Sequence, residues 1–217
     1  MTPLRITAHL DGALVTTNDA YRMDSLLDWA SYPERGAEHP KSTEEWETTH
    51  EEIPIQRSAC GRFHMVSDGV YDVEVTANRW TNRRFPMLEA QMFGDEKLRR
   101  IDVKAGAQKS FRLPCETVHL VGDQITWVAI GDAEKIRSLL RWVSYLGKRR
   151  AVGNGRVASW VVEPTESWGD GFPVLCAGAP TRALPLDVPG IRGGGTRFGR
   201  HTFPYHYRWL EEAIACP

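Results

Sequence analysis

The segment from Asp132 to Leu146 constrains the fold most. Ile136, Leu139, Leu140, Val143 and Leu146 fall on one face at helical spacing, behind an aspartate suited to capping the first turn. Such a helix must lay its apolar stripe on another element, and the flanking segments supply sheet. Leu113, Cys115, Thr117 and Leu120, then Ile125 to Ile130, read as a hairpin turned at Gly122-Asp123. Residues 156–162 read as the strand after the helix. Near the start, Leu4, Ile6, Ala8 and Leu10 alternate with Arg5, Thr7 and His9, the two-residue period of a half-buried strand. Met23, Leu26, Leu27 and Ala30 return to helical spacing, with Asp24 or an earlier polar residue as the cap. Phe63 to Thr76, carrying Val66, Val70, Val73 and Val75, reads as strand or hairpin turned at Ser67-Asp68-Gly69. The order predicts two split β-α-β units, an α+β, ferredoxin-like (RRM-like) β-α-β-β-α-β domain.

Composition supports a packed domain. The 217 residues are 41% hydrophobic and a quarter charged, which suits a globular chain rather than a disordered one. The longest apolar runs are as short as Trp127-Val128-Ala129-Ile130, so no transmembrane helix and no membrane partner are expected. Arg5 and Asp11 leave no room for a secretory apolar segment, which makes the cytoplasm the expected location. Cys60, Cys115, Cys176 and Cys216 stand far apart with no C-x-x-C, so unpaired thiols mostly packed in the core are expected.

A balance of 27 Lys and Arg against 28 Asp and Glu hides an uneven distribution. From Asp11 to Ile53 eleven acids accompany three bases, and residues 33–52 read as a solvated loop. From Arg137 to Arg156 there are six bases and no acid; between Arg79 and Arg112 nine bases face four acids. A polyanion responds to these local fields, not to the net charge.

The densest of them is Gly147-Lys148-Arg149-Arg150-Ala151-Val152-Gly153-Asn154-Gly155-Arg156. Glycines on both sides of Asn154 let the backbone take positive φ and approach a ligand closely, while exposed N–H groups and three consecutive cations suit phosphates. On the preceding helix Arg137, Arg141 and Lys148 fall on one face, displaced from the apolar stripe, and extend the positive surface. The glycines follow a helix and precede a strand, the reverse of a dinucleotide fingerprint, and Lys148 is followed by arginine rather than the Ser or Thr of a Walker loop. No cofactor and no metal site are expected.

A helix running into a basic G-K-R-R-x-x-G-x-G-R loop and then a strand resembles the RAMP proteins of CRISPR systems. The opening, Pro3 to Leu10 followed by Met23 to Ala30, is similar to the small subunit of type IV effector complexes that caps the 5′ end of the guide RNA. The resemblance covers residues 3–32 and 111–163 in pattern. It implies a RAMP domain over residues 1–163, with a projecting basic, thumb-like insertion at about 79–112 and an irregular, Gly- and Pro-rich extension over 164–217 packed on it. It also implies a non-catalytic protein that binds crRNA, contacts the backbone and large subunits of the complex, and has access to target DNA beside the protospacer. The loop residues carried over are Lys148, Arg149, Arg150, Gly153, Asn154, Gly155 and Arg156, with Arg137 and Arg141 beside them. In the insertion Arg79, Arg83, Arg84, Lys97, Arg99 and Arg100 are expected on the RNA backbone, and Trp80 and Phe85 are placed to stack on bases.

Two other readings stand beside this one. Some RAMPs cut precursor RNA without metal, and His64, Tyr71, His119, His201, His206 and Lys148 are the residues here able to activate a 2′-hydroxyl. The alternative is a ferredoxin-like protein-interaction module that touches no nucleic acid.

Overall fold

The computed structural model of the chain describes residues 1–15, 21–41, 45, 52–83, 111–199 and 212–217; side chains at 79, 81–83, 111–115, 197–199, 212 and 213 are outside that description. In chain order the elements are β1 (Thr2–Leu10), β2 (Leu14–Val15), α1 (Met23–Glu34), β3 (Val73–Arg83), β4 (Phe111–Leu120), β5 (Gln124–Gly131), α2 (Ala133–Leu140) and β6 (Val157–Pro164). Short strands complete the chain: β7 (Leu175–Cys176), β8 (Ala179–Pro180), β9 (Leu184–Pro185), β10 (Gly195–Gly199) and β11 (Glu212–Cys216).

The alternation in β1 decides the centre of the molecule. β1 lies between β5 and β6 and is antiparallel to both. Its Leu4, Ile6 and Ala8 are fully buried with Ile125, Trp127 and Ala129 of β5, beneath Met23, Leu27 and Ala30 of α1 and Ile136, Leu139 and Leu140 of α2. Each large side chain so buried contributes roughly 1.5–3 kcal/mol. The opposite face is mixed: Arg5 lies 3.8 Å from Glu163 and the Thr7 and Thr126 hydroxyls are 3.5 Å apart, while Val128 and the exposed Val161 share that face. Asp132 caps α2 as expected, its carboxylate accepting the N–H groups of Glu134 and Lys135. α1 starts at Met23 without a side-chain cap, and Asp24 instead sits buried in its first turn.

Four sequence expectations are corrected. β4 and β5 do not form a hairpin: β4 pairs with β2 and β3, in a second three-stranded sheet. Between them Gly122 and Asp123 take positive φ, 66° and 48°, in a single turn that sends the chain from one sheet to the other. Ser67-Asp68-Gly69 is no surface turn either, because Ser67 and Asp68 are buried. A Cβ on Gly69 would lie 2.9 Å from the Trp127 indole, so only glycine fits there. Residues 55–70 meet β5 through isolated bridges, Ile55 to Gly131, Val66 to Ala129 and Val70 to Thr126, and the regular strand expected from Phe63 begins only at Val73. Lastly, Cys60 and Cys176 are exposed and Cys216 half-buried, since the first two occupy a tight turn and a two-residue strand at the surface. The fold is mixed α/β, with small antiparallel sheets and, among the described residues, two helices.

β3 and β4 form a long ribbon paired from Val73–Leu120 to Arg83–Phe111. Val118 and Leu120 hold its base in the core, whereas Val73, Val75 and Trp80 are exposed. The C-terminal strands build a smaller cluster in which Phe63 meets Val174, Leu175 and Leu184. Arg182 ties that cluster to the main core: fully buried, it donates to the carbonyls of His64 and Val66 and to the Asp24 carboxylate at 3.1 Å. No helix among the described residues is long and apolar enough to cross a membrane.

Candidate nucleic-acid interface

α2 ends at Leu140, six residues before the apolar stripe does. Trp142 and Val143 donate their N–H groups to Leu139 and Leu140 in tightened bonds at 3.0 Å. The chain then extends and pairs with the start of β6. Val157 N–H donates to the Ser144 carbonyl at 2.9 Å, and Leu146 N–H to Gly155 at 2.7 Å. The Val143 carbonyl accepts the Trp160 Nε1–H at 2.9 Å, in place of a further helical bond. Val143 and Leu146 thus reach the core from an extended segment. Lys148 therefore does not share a helical face with Arg137 and Arg141.

Those backbone bonds close the neck of a loop over residues 147–154. Gly147, Arg149, Gly153 and Gly155 all have positive φ, from 61° to 86°. The glycines serve different ends. A Cβ on Gly155 would lie 2.0 Å from the Leu146 carbonyl oxygen, and one on Gly147 2.6 Å from that of Val15. Gly155 N–H donates to Ala13 at 2.9 Å. Both residues seat the loop against the chain that follows β1. Gly153 faces open space, with nothing within 4 Å of where a Cβ would stand.

The loop's cations divide in the same way. Lys148 and Arg150 are exposed and Arg149 half-exposed, and no described carboxylate lies within 4.0 Å of any of the three. Arg156 instead pairs with Asp11 at 3.2 Å, both side chains being about 60% exposed. Arg137 donates to the Val162 carbonyl of β6. Arg141 donates to Ser138 and lies 3.9 Å from Glu34. Asn154 is half-buried.

Glu34, at the end of α1, joins the two helices. It accepts the Ser138 hydroxyl and the Trp142 Nε1–H. The Ser138 bond, then that of Trp142, hold its carboxyl below the usual carboxylate range against desolvation, with the nearby Arg141 guanidinium adding to them. In the buried cluster beneath α1 the sign is reversed. Burial pushes the Asp68 carboxyl up, although the Arg182 and Arg22 guanidinium groups pull it down.

A set of aromatic residues escaped the sequence reading. Trp29 and Trp142 line a cavity of about 600 Å3 between α1 and residues 142–147, with Tyr21, Leu26, Tyr145 and Arg150. Both tryptophans lie off the apolar stripe of their own segment, and that was the signal available.

On the ribbon, Arg79 stands opposite Cys115 and Arg83 opposite Phe111, and Trp80 is 55% exposed. The Arg79 and Arg83 side chains, together with Arg84, Phe85, Lys97, Arg99 and Arg100, lie outside the described residues. Among the nuclease candidates, His64 is buried 3.7 Å from the Asp24 carboxylate. Tyr71 packs edge-on to Tyr21 at 5.8 Å, and His119 is half-buried on β4. His201 and His206 lie outside the described residues.

The family model described as CRISPR type IV associated protein Csf3 matches residues 2–174, which span the two larger sheets, both helices and the basic loop. No match is found among the curated proteins.

Proposed function

The chain belongs to the Csf3 family of CRISPR type IV associated proteins, and on that premise we propose that it is a non-catalytic, RAMP-type subunit that holds the 5′ handle of a guide RNA. One observation carries the reading: Lys148, Arg149 and Arg150 stand in a row without a carboxylate partner among the described residues, on a loop whose neck is clamped by the protein's own backbone. Three adjacent unneutralised cations repel one another, and a phosphate backbone relieves that repulsion. The order β6-β1-β5 beneath two helices agrees with a split β-α-β domain in which residues 66–70 stand for a reduced fourth strand. The outer face of that sheet carries Arg5, Thr7, Val161 and Glu163 rather than the stacked aromatics with which an RRM sheet holds bases, which favours the loop as the binding surface.

The ribbon is the natural contact for a neighbouring backbone or large subunit, since β3 is an edge strand with Val73, Val75 and Trp80 exposed. Target DNA is the remaining partner of this reading. Burial of His64 against Asp24 and Arg182 argues against a metal-independent nuclease centred on that residue.

Photocrosslinking tests both halves. Thiouridine-substituted precursor RNA is bound to the 217-residue chain in EDTA, irradiated and digested. The expected result is an adduct on the peptide containing residues 147–156, with the RNA recovered at full length. Adducts confined to other peptides contradict the loop, and a discrete RNA product establishes the nuclease instead.

A further inference from the structure

Trp29 and Trp142 remain 40% and 44% exposed although the core beside them is closed. Scattered exposed apolar residues need no explanation, but two indoles, Tyr145 and a cation lining one cavity of about 600 Å3 form a composition of their own. The indoles are also held in place. Trp142 donates its Nε1–H to Glu34, and one face of Trp29 is covered by His39, stacked at 4.8 Å and 17°. His39 does not line the cavity, so Trp29 contributes to it independently of that stack.

Arg150 is both a wall of this cavity and the last of the three unpaired loop cations. Flat π faces next to an unneutralised guanidinium call for a ligand that joins a planar ring to an anion. An apolar peptide leaves the cation unsatisfied; a phosphopeptide leaves the indoles in water. A nucleotide satisfies both.

We propose that the cavity between α1 and residues 142–147 receives an unpaired base of the bound RNA, stacked on Trp29 or Trp142 while Arg150 takes the adjoining phosphate. The inference rests on the loop being the RNA-binding surface and adds base capture to its phosphate grip. Every base has a π face, so the cavity gives affinity with little sequence preference.

Fluorescence anisotropy with a labelled 12-nucleotide oligouridylate, and with the same backbone stripped of its bases, separates the two contributions. Wild type is expected to bind the base-free backbone on the order of five- to a hundredfold more weakly than oligouridylate. Of Trp29→Ala and Trp142→Ala, the variant that removes the stacking indole is expected to bind oligouridylate as weakly as the base-free strand, with an unchanged salt slope. Trp142→Phe keeps a ring, and should recover most of the affinity even though the bond to Glu34 is lost. Equal wild-type affinity for the two strands overturns the inference, as does discrimination that persists in both Ala variants. If those results come with a Lys148/Arg149/Arg150→Ala variant that has lost binding, the cavity is excluded and the phosphate grip stands. Full binding by that triple variant instead removes the grip itself.

Discussion

Gly153 and Gly155 sit two residues apart in one loop and answer to different constraints. Gly155, at φ 68°, has the Leu146 carbonyl where its side chain would be, and its N–H is committed to Ala13. Gly153, at φ 86°, has only the backbone conformation to satisfy. Gly153→Ala is therefore expected to lose about 1–2 kcal/mol, the strain of a left-handed residue. Gly155→Ala adds a backbone clash, and should lose about 3 kcal/mol or more or fail to fold. Urea denaturation of the two variants against wild type checks the order. Reading the pair as glycines that clear room for a ligand was right about positive φ and wrong about what approaches Gly155. That partner is the chain itself, at Leu146 across the hairpin-like neck and at Ala13 far back in the sequence. Arg182 shows the same limit, because its bond to Asp24 spans 158 residues and leaves no local trace.

At the scale of elements, the parts with a local period were legible: β1 by alternation, α1 and the start of α2 by helical spacing, β6 by its position after the basic loop. Their partners were not. β4 and β5 adjoin in sequence, yet each is recruited by a strand elsewhere, β4 by β2 and β3, β5 by β1. The stripe through Val143 and Leu146 is real, but sheet pairing with Gly155 to Val157 competes with the helix there and prevails. The aromatic cavity was hidden because α1 and residues 142–147 meet only in the folded chain. Glu34 clasps the helices across that junction, and its folded carboxyl titrates below the ordinary value of 4.5. The clasp is therefore complete above that value and is lost as pH falls through the lower, folded one. Glu34→Gln is expected to be less stable than wild type at pH 7. The pH-dependent part of the gap should shrink as pH falls below 4.5 and close once pH lies below the lower, folded value, as followed by thermal melts across the acid range.

Across the whole molecule, a sequence pI near 6.7 gives no hint of a polyanion partner. What matters is separation. Acids crowd residues 11–53, while Lys148 and Arg150 are exposed and Arg149 half-exposed, with no described carboxylate within 4.0 Å. The Arg182 anchor and the Arg62–Asp187 pair at 2.7 Å hold the chain around β9 on the segment around His64. Among the described residues the three loop cations make no side-chain fold contact that their loss would break, and removing them should leave stability within about 0.5 kcal/mol of wild type. The most direct measurement is the salt dependence of single-stranded RNA binding by wild type and by the Lys148/Arg149/Arg150→Ala variant. Each phosphate neutralised on a single strand contributes about 0.7 to the slope of log affinity against log salt, so the variant is expected to bind more weakly with a slope about two units shallower. Equal slopes for the two proteins would place the RNA elsewhere and contradict the account.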